Sequence, residues 1–374
     1  MALGAINYGE RLARLRGKMG GEVKAAALVP GANMVYFTGL HFHLSERPTI
    51  ALVLAGGGIA FIVPMLEASK LDGLTEVLDI RHVFAWFDDD GYAGAFAAAT
   101  AALGLDGASL AVDDMTMRVF ELLAFQAATN VQAVPLGMTL LGLRVVKTAA
   151  EVALLRQAVE LSEIALRETL EQLEAGMTER QIADLLSARL AANGSHGHAF
   201  GPLVLIGEKS ALPHGVTAGR ELREGDLLLF DFGGTVDGYP ADITRTFAYG
   251  EPSAEARAVY EAVRAANEAA RAVVRPGVTG AEVDKAARDV IVAAGFGEYF
   301  IHRTGHGLGL EVHEEPQISS TNAEPLAEGM VFTIEPGVYL PGVGGVRIED
   351  NLVVTADGGE SYTTFPRELW VLRS

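Results

Sequence analysis

The chemistry of this chain is concentrated in five residues of its C-terminal half: Asp231, Asp242, His306, Glu335 and Glu349. Asp231 interrupts the apolar run LLLFDFGG, and Asp242 follows eleven residues later in GYPADITRT. Glu335 ends VFTIEPG, Glu349 lies fourteen residues further on in GGVRIED, and His306 sits in the glycine-rich GHGLG. Taken singly, an acid at a strand end satisfies a turn and a lone histidine is structural. Two acid pairs on similar segments, plus a histidine, need another explanation. Four carboxylates brought together repel one another and take up protons. Two divalent cations remove that penalty, since their four positive charges match the four negative ones. The donor set is hard and oxygen-rich, which favours Mn²⁺ first, with Co²⁺, Fe²⁺ or Zn²⁺ as alternatives, over a structural zinc site built from Cys and His. A zincin helix is excluded: His302 and His306 are spaced i,i+4, but HRTGH lacks the glutamate after the first histidine and Gly305 disfavours a helix.

Strands must carry these acids. GGTVDG between Asp231 and Asp242 is turn-rich, so the two acids face each other on a hairpin, and Glu335 and Glu349 form a second such pair. Thr148–Glu151 is a capping box opening a long helix to about Glu174, with Val152, Leu155, Val159, Ile164, Leu166 and Leu170 on its apolar face. Two further boxes, Thr178–Gln181 and Thr279–Glu282, expose an internal repeat offset by 101 residues. Each half continues to a Leu-x-Glu-Gly segment and a strand whose acid lies six residues after its glycine, Asp231 and Glu335, now offset by 104. A pseudo-twofold domain with a site at the junction of its halves follows.

Residues 1–145 alternate short β-rich runs (25–29, 49–56, 59–64, 111–114, 131–135) with helical ones (92–103, 115–126), an α/β pattern in which GGG at 56–58 is a hairpin turn and not a phosphate loop. The N-terminus reads as a short amphipathic helix without a secretory core, and no apolar run is long enough to span a membrane. With no cysteine, disulfides and thiolate metal sites are ruled out, and a reducing cytoplasm is the simplest location. A formal net charge of −19 argues against nucleic-acid binding.

LLLFDFGG, GYPADITRTF, RTGHGLGLEVHE, FTIEPGVY and GGVRIEDNL together resemble the pita-bread metallopeptidases, peptidase family M24, which contains the methionine aminopeptidases, aminopeptidase P and prolidase. ALPHG at 211–215 resembles the histidine motif of the proline-specific branch. The N-terminal region resembles the creatinase-type domain that accompanies that branch and that methionine aminopeptidases generally lack. The resemblance implies an α/β (α+β) chain: an N-terminal creatinase-like α/β domain, 1–145, and a C-terminal pita-bread catalytic domain, 146–374. It implies dinuclear hydrolysis of Xaa-Pro peptide bonds by a metal-bridging hydroxide, leaning to Xaa-Pro dipeptidase (prolidase), with Xaa-Pro aminopeptidase on longer peptides as the alternative. Asp231 would chelate one metal, Asp242 and Glu349 would bridge both, and His306 and Glu335 would bind the other, with Glu335 also the proton acceptor.

His214 and His313 would contact the substrate backbone or the developing oxyanion from opposite sides, and His302 would relay protons to the leaving imino nitrogen. Arg347, two residues before Glu349, would pair with a ligand carboxylate or orient His302; Thr244 and Thr333 are hydrogen-bonding candidates, and His196 and His198 are loop residues. An Xaa-Pro bond is a tertiary amide without an N–H, so the site needs an apolar pocket for the ring, for which Phe200, Leu205 and Ile206 are candidates. Arg47, in the loop HFHLSERP (41–48), could anchor a dipeptide's free carboxylate, either from its own chain or from a partner subunit of an expected homodimer. A metal-free creatinase-like C–N hydrolase and a non-catalytic pita-bread binding protein are the more distant alternatives; both fit less well because every ligand position is kept.

Overall fold

The computed structural model describes residues 6–213 and 215–372. The chain divides into two compact units, Met1–Arg144 and Val145–Ser374.

In the first unit the order is α1 (Tyr8–Arg16), β1 (Val23–Leu28), α2 (Ala32–Thr38), β2 (Ile50–Leu54), β3 (Ile59–Pro64), α3 (Thr75–Leu78), β4 (Ile80–Trp86), α4 (Ala93–Ala102), β5 (Ser109–Val112), α5 (Val119–Ala128), β6 (Gln132–Pro135) and α6 (Gly137–Arg144). The strands form one mixed sheet, β4-β3-β2-β1-β5-β6. Glycines 56–58 turn β2 antiparallel onto β3, with Gly57 and Gly58 at positive φ. The helix expected at 115–126 begins later, at Val119. β4 escapes sequence reading because it is an edge strand whose Arg81, His82 and Val83 are exposed, so no apolar alternation marks it. Arg47 lies in an irregular loop, as expected, and its guanidinium is held by Asp88 (2.9 and 2.7 Å) and Glu46, so its charge is already matched inside this unit.

In the second unit, α7 (Ala149–Leu170) and α8 (Glu179–Ala192) precede β7 (Leu203–Ile206), β8 (Asp226–Phe232), β9 (Thr235–Val236), β10 (Tyr239–Pro240) and β11 (Ile243–Tyr249). Then α9 (Ala254–Val273) and α10 (Gly280–Ala293) precede β12 (Gly305–Gly307), β13 (Glu314–Ile318), β14 (Val331–Ile334), β15 (Gly337–Leu340), β16 (Gly344–Arg347), β17 (Asp350–Thr355), β18 (Gly358–Ser361) and β19 (Val371–Leu372). The strands form a β19-β11-β8-β7 sheet and a β13-β12-β14-β17-β18 sheet, with β9–β10 and β15–β16 as separate hairpin tips. Leu155, Leu166 and Leu186 bury against Phe230 and Phe247, whereas Val263, Val283 and Ile291 bury against Phe332 and Val346, so each helix pair covers its own strands.

The repeat is explicit in the backbone. All three capping boxes form. Thr178 bridges to Glu221 and Thr279 bridges to Pro325, one isolated bridge in each half. Gly176, Gly194 and Gly225 have φ of 86°, 88° and 88°, and their counterparts Gly277, Gly295 and Gly329 have 89°, 85° and 84°. Two details differ from expectation. α7 stops at Leu170, short of Glu174, and Ile164 is 41% exposed, because it falls on the helix's outer side.

Candidate metal centre

β8 and β11 pair antiparallel with Asp231 opposite Thr244, and Asp242 immediately precedes β11. Asp237 and Gly238, both at positive φ, close the hairpin between them, which is the conformation an Asp-Gly turn favours. In the second half, Ile334 pairs with Asp350 on β14–β17, and Gly337 pairs with Arg347 on β15–β16. Glu335 and Glu349 therefore sit where both strands leave one ladder for the next. His306 is the middle residue of β12, flanked by glycines for a steric reason. A Cβ on Gly305 would lie 1.9 Å from the Thr333 carbonyl oxygen, and one on Gly307 would lie 2.1 Å from that of Glu315.

The two hairpins are stitched together at the acids. The Asn351 side chain accepts from the Asp242 N–H (3.1 Å) and donates to the Asp242 carbonyl, standing in for a strand partner. The Glu349 N–H donates to the Thr244 carbonyl (3.0 Å), and the Thr244 hydroxyl donates to the Glu349 carboxylate (2.7 Å). Thr333 reaches Glu335 only at 3.5 Å, so it is the weaker partner. One donor atom each from Asp242, His306 and Glu349 lies within 4.8 Å of the other two. His306 Nε2 is 3.5 Å from Asp242 and 3.3 Å from Glu335. All five sequence-identified residues line one cavity of about 750 Å³, together with His302, His313 and Arg347.

Two adjacent acids show what kind of site this is. Glu349 and Asp350 are 1% and 0% exposed. Burial alone would raise Asp350, but Arg245 (2.8 Å) and Arg367 (2.7 Å) hold its carboxyl below the usual range. Glu349 is pushed well up, first by burial and then by Glu335 and Asp231, with Arg347 opposing. Asp242 is pushed well up by burial and by Glu349, Asp231 and Glu335. Burial, with Asp231 adding and Arg347 opposing, takes Glu335 to about 7. A structural buried acid brings its own cation; these three do not have enough. Asp231 Oδ1 is buried without a hydrogen-bond partner, a position an incoming cation would satisfy. Burial, with His313, depresses His306 to about 3, leaving its imidazole neutral and able to ligate. The donor set thus fits divalent metal.

A titration follows from these shifts. Carboxyls with raised pKa retain protons toward neutral pH, and a cation must displace them, so affinity rises with pH while His306 releases nothing. Calorimetry of Mn²⁺ binding in buffers of different ionisation enthalpy is expected to show net proton release that shrinks, and affinity that climbs, from about pH 6 to about pH 8. Buffer-independent heats with constant affinity would contradict the assignment.

The remaining candidates are distributed as follows. His214 lies outside the described residues. His313 lies in the cavity wall with its ring 4.2 Å from that of His306. Arg347 pairs with Asp231, sits 4.0 Å from Glu335, and donates to the Thr244 hydroxyl (3.0 Å) and the Tyr339 hydroxyl (2.8 Å). Tyr339 is the main residue sequence reading missed: its hydroxyl is also 2.9 Å from His302 Nε2, so Arg347 reaches His302 through it. Its position four residues after Glu335 on FTIEPGVY was the available signal. Phe200 lines the cavity, but Leu205 and Ile206 are 1% and 0% exposed and belong to the core; Leu203 and Val312 supply the apolar wall instead. Leu203 opens β7 and is only partly buried, whereas Val204, Leu205 and Ile206 after it are all buried. His196 accepts from the Asp237 N–H (3.1 Å) and His198 bridges to Gly234, both away from the cavity lining. Among the described residues, no helix is long and apolar enough to cross a membrane.

The model of metallopeptidase family M24 matches residues 153–356, and that of the creatinase/prolidase N-terminal domain matches residues 11–146. The chain is 39% identical over 369 residues to a probable dipeptidase PepE of Mycobacterium bovis, covering 98% of this chain and 96% of the relative. Its fold is similar to the crystal structure of a recombinant prolidase from Thermococcus sibiricus, with a TM-score of 0.90, 35% identity and 98% of each chain covered. An X-Pro aminopeptidase from Thermotoga maritima gives a TM-score of 0.85 at 34% identity, covering 96% of this chain and 99% of that one.

Proposed function

The chain belongs to metallopeptidase family M24 and is a peptidase, and we propose that it is a dinuclear Xaa-Pro dipeptidase whose two divalent cations, Mn²⁺ in the first instance, are held by Asp231, Asp242, His306, Glu335 and Glu349. One observation carries this reading: four carboxylates and a neutral imidazole converge on one cavity without enough protein cations to balance them. Bound there, divalent cations polarise the scissile carbonyl and supply an acidified water at neutral pH.

The protein's own part is positioning and proton handling. Asp231, held by Arg347, and Asp242, held by Asn351, are fixed before any cation arrives. Glu335, at the cavity wall beside His306, accepts the proton from the attacking water at its carboxylate. His313 and His214 contact the substrate carbonyl and stabilise the charge that develops there. His302 Nε2, hydrogen-bonded to the Tyr339 hydroxyl, relays a proton toward the leaving imino nitrogen. Phe200, Leu203 and Val312 form the apolar surface against which a pyrrolidine ring packs. A cytoplasmic homodimer belongs to the same proposal, on family resemblance.

The relatives favour the dipeptidase over the aminopeptidase, since the relative matched over nearly the whole chain is named a dipeptidase and a structural neighbour at TM-score 0.90 a prolidase. With Mn²⁺-loaded protein, kcat/KM for Ala-Pro is expected to exceed that for Ala-Pro-Ala by at least about tenfold, the worth of one well-placed charged contact. Equal turnover of both would shift the assignment to the aminopeptidase; failure to cleave either, with two equivalents of metal bound, would remove it.

A further inference from the structure

His313 is an exposed residue in the cavity wall. An exposed side chain does not fix its own backbone, and the residue that follows it does. Glu314 is charged yet only 4% exposed. Its carboxylate accepts from the Lys147 ammonium (3.0 Å) and from the Glu311 N–H (3.1 Å). Lys147 is equally buried, and its side chain and that of Glu314 are 1% and 3% exposed. Lys147 is itself pinned: its N–H donates to the Gly329 carbonyl (2.8 Å), and Val146 bridges to Met330. That bridge lies at the start of β14, the strand leading to Glu335. Gly309 completes the seat, since a Cβ there would lie 2.3 Å from the Glu314 carboxylate.

Burying two charges is a poor way to gain stability, because desolvation offsets most of the attraction; fixing a unique geometry is the better-attested use of such a pair. The geometry fixed here is that of the segment between His306 and β13, with His313 as its last residue. The Lys147–Glu314 pair joins two points 167 residues apart, tying the start of the unit to that segment.

We propose that the Lys147–Glu314 pair is a positioning device that sets His313 over the reacting carbonyl. The inference rests on the reading of His313 as a substrate-contacting group. Neither Lys147 nor Glu314 lines the cavity, so neither touches substrate, and the route to the site that concerns us is the neighbouring His313.

The test uses the full-length, Mn²⁺-loaded enzyme and its kcat and KM for Ala-Pro, with metal content and Tm measured alongside. Lys147→Met and Glu314→Gln are each expected to lower kcat by about 10–100-fold, with metal content unchanged and KM within about twofold. The double variant should be no worse than the poorer single one. In a His313→Ala background, Glu314→Gln should cost no further turnover. A lower Tm with wild-type kcat, or a further loss in the His313→Ala background, would mean a structural role only and overturn the inference. If Lys147→Met does not fold, Glu314→Gln, which preserves shape and hydrogen-bonding capacity, decides. His313→Ala read alone separates the two levels: near wild-type kcat removes the role of His313 and this inference with it, whereas a large loss beside silent Lys147 and Glu314 variants removes the inference alone.

Discussion

Asp242→Asn lowers kcat/KM toward an Xaa-Pro dipeptide by about a thousandfold, the several kcal/mol that metal-assisted charge stabilisation supplies, and it makes the metal-free protein more stable. The two effects have opposite signs for one physical reason. The Asp242 carboxyl is 4% exposed and surrounded by Glu349, Asp231 and Glu335. Its pKa in the folded chain is raised, so between the unfolded and folded values the native state binds more protons than the unfolded one. Wild-type stability without metal therefore falls as pH rises through that window. Asparagine has nearly the same shape and no charge to lose, so the variant escapes that fall. Its N–H and carbonyl still meet the Asn351 side chain. The measurement pairs kcat/KM and metal stoichiometry of the loaded protein with Tm of the chelator-treated protein at about pH 5 and about pH 8, where the stabilisation should be larger at the higher value. A variant that binds two metals and keeps its activity would show that Asp242 holds no cation.

Arg347→Met should act in the opposite direction on the metal-free protein. Arg347 is buried, pairs with the partly buried Asp231, lies close to Glu335 and donates to Thr244 and Tyr339. Removing one partner of a buried pair leaves an uncompensated charge and costs about 3–5 kcal/mol. Added Mn²⁺ should restore part of that loss, because a dication beside Asp231 replaces the missing charge. Activity should not follow to the same extent: kcat/KM is expected to stay about a hundredfold down, since Tyr339 loses its donor and His302 loses the fixed partner behind it. Arg347→Lys keeps the charge but not the fork that serves three acceptors, and should recover stability better than turnover. Chelator-treated and Mn²⁺-loaded denaturation curves, set beside kcat/KM, check all three statements. Equal stability of wild type and Arg347→Met without metal would count against the pairing.

The sequence made the acids legible because they violate patterning. Asp231 within LLLFDFGG and Glu335 at the end of VFTIEPG stand where an apolar residue is expected, and the offsets tying them to capping boxes marked the repeat. Tyr339 and Asn351 remained invisible for the converse reason. A tyrosine and an asparagine on strands look ordinary, and their importance comes from partners distant in sequence: Tyr339 from His302 and Arg347, Asn351 from Asp242, 109 residues away. Sequence leaves Leu205 and Ile206 open between pocket and core, since an apolar strand does not reveal which of its members face a core; the structure puts both in the core. Arg245 and Asp350 illustrate the same limit, as nothing in GYPADITRT or GGVRIED announces that one acid is neutralised and its neighbour is not.

The division of donors between the repeats also bears on how the protein comes by its metal. If the five proposed ligands hold it, no short stretch of chain carries the complete set: one repeat offers two aspartates, the other two glutamates and an imidazole. A nascent polypeptide would then lack that set in any one segment, unlike a compact cysteine or histidine motif. Selection among ions would on that reading fall to the folded molecule, once its halves meet, and reflect whichever free cations the surroundings then provide.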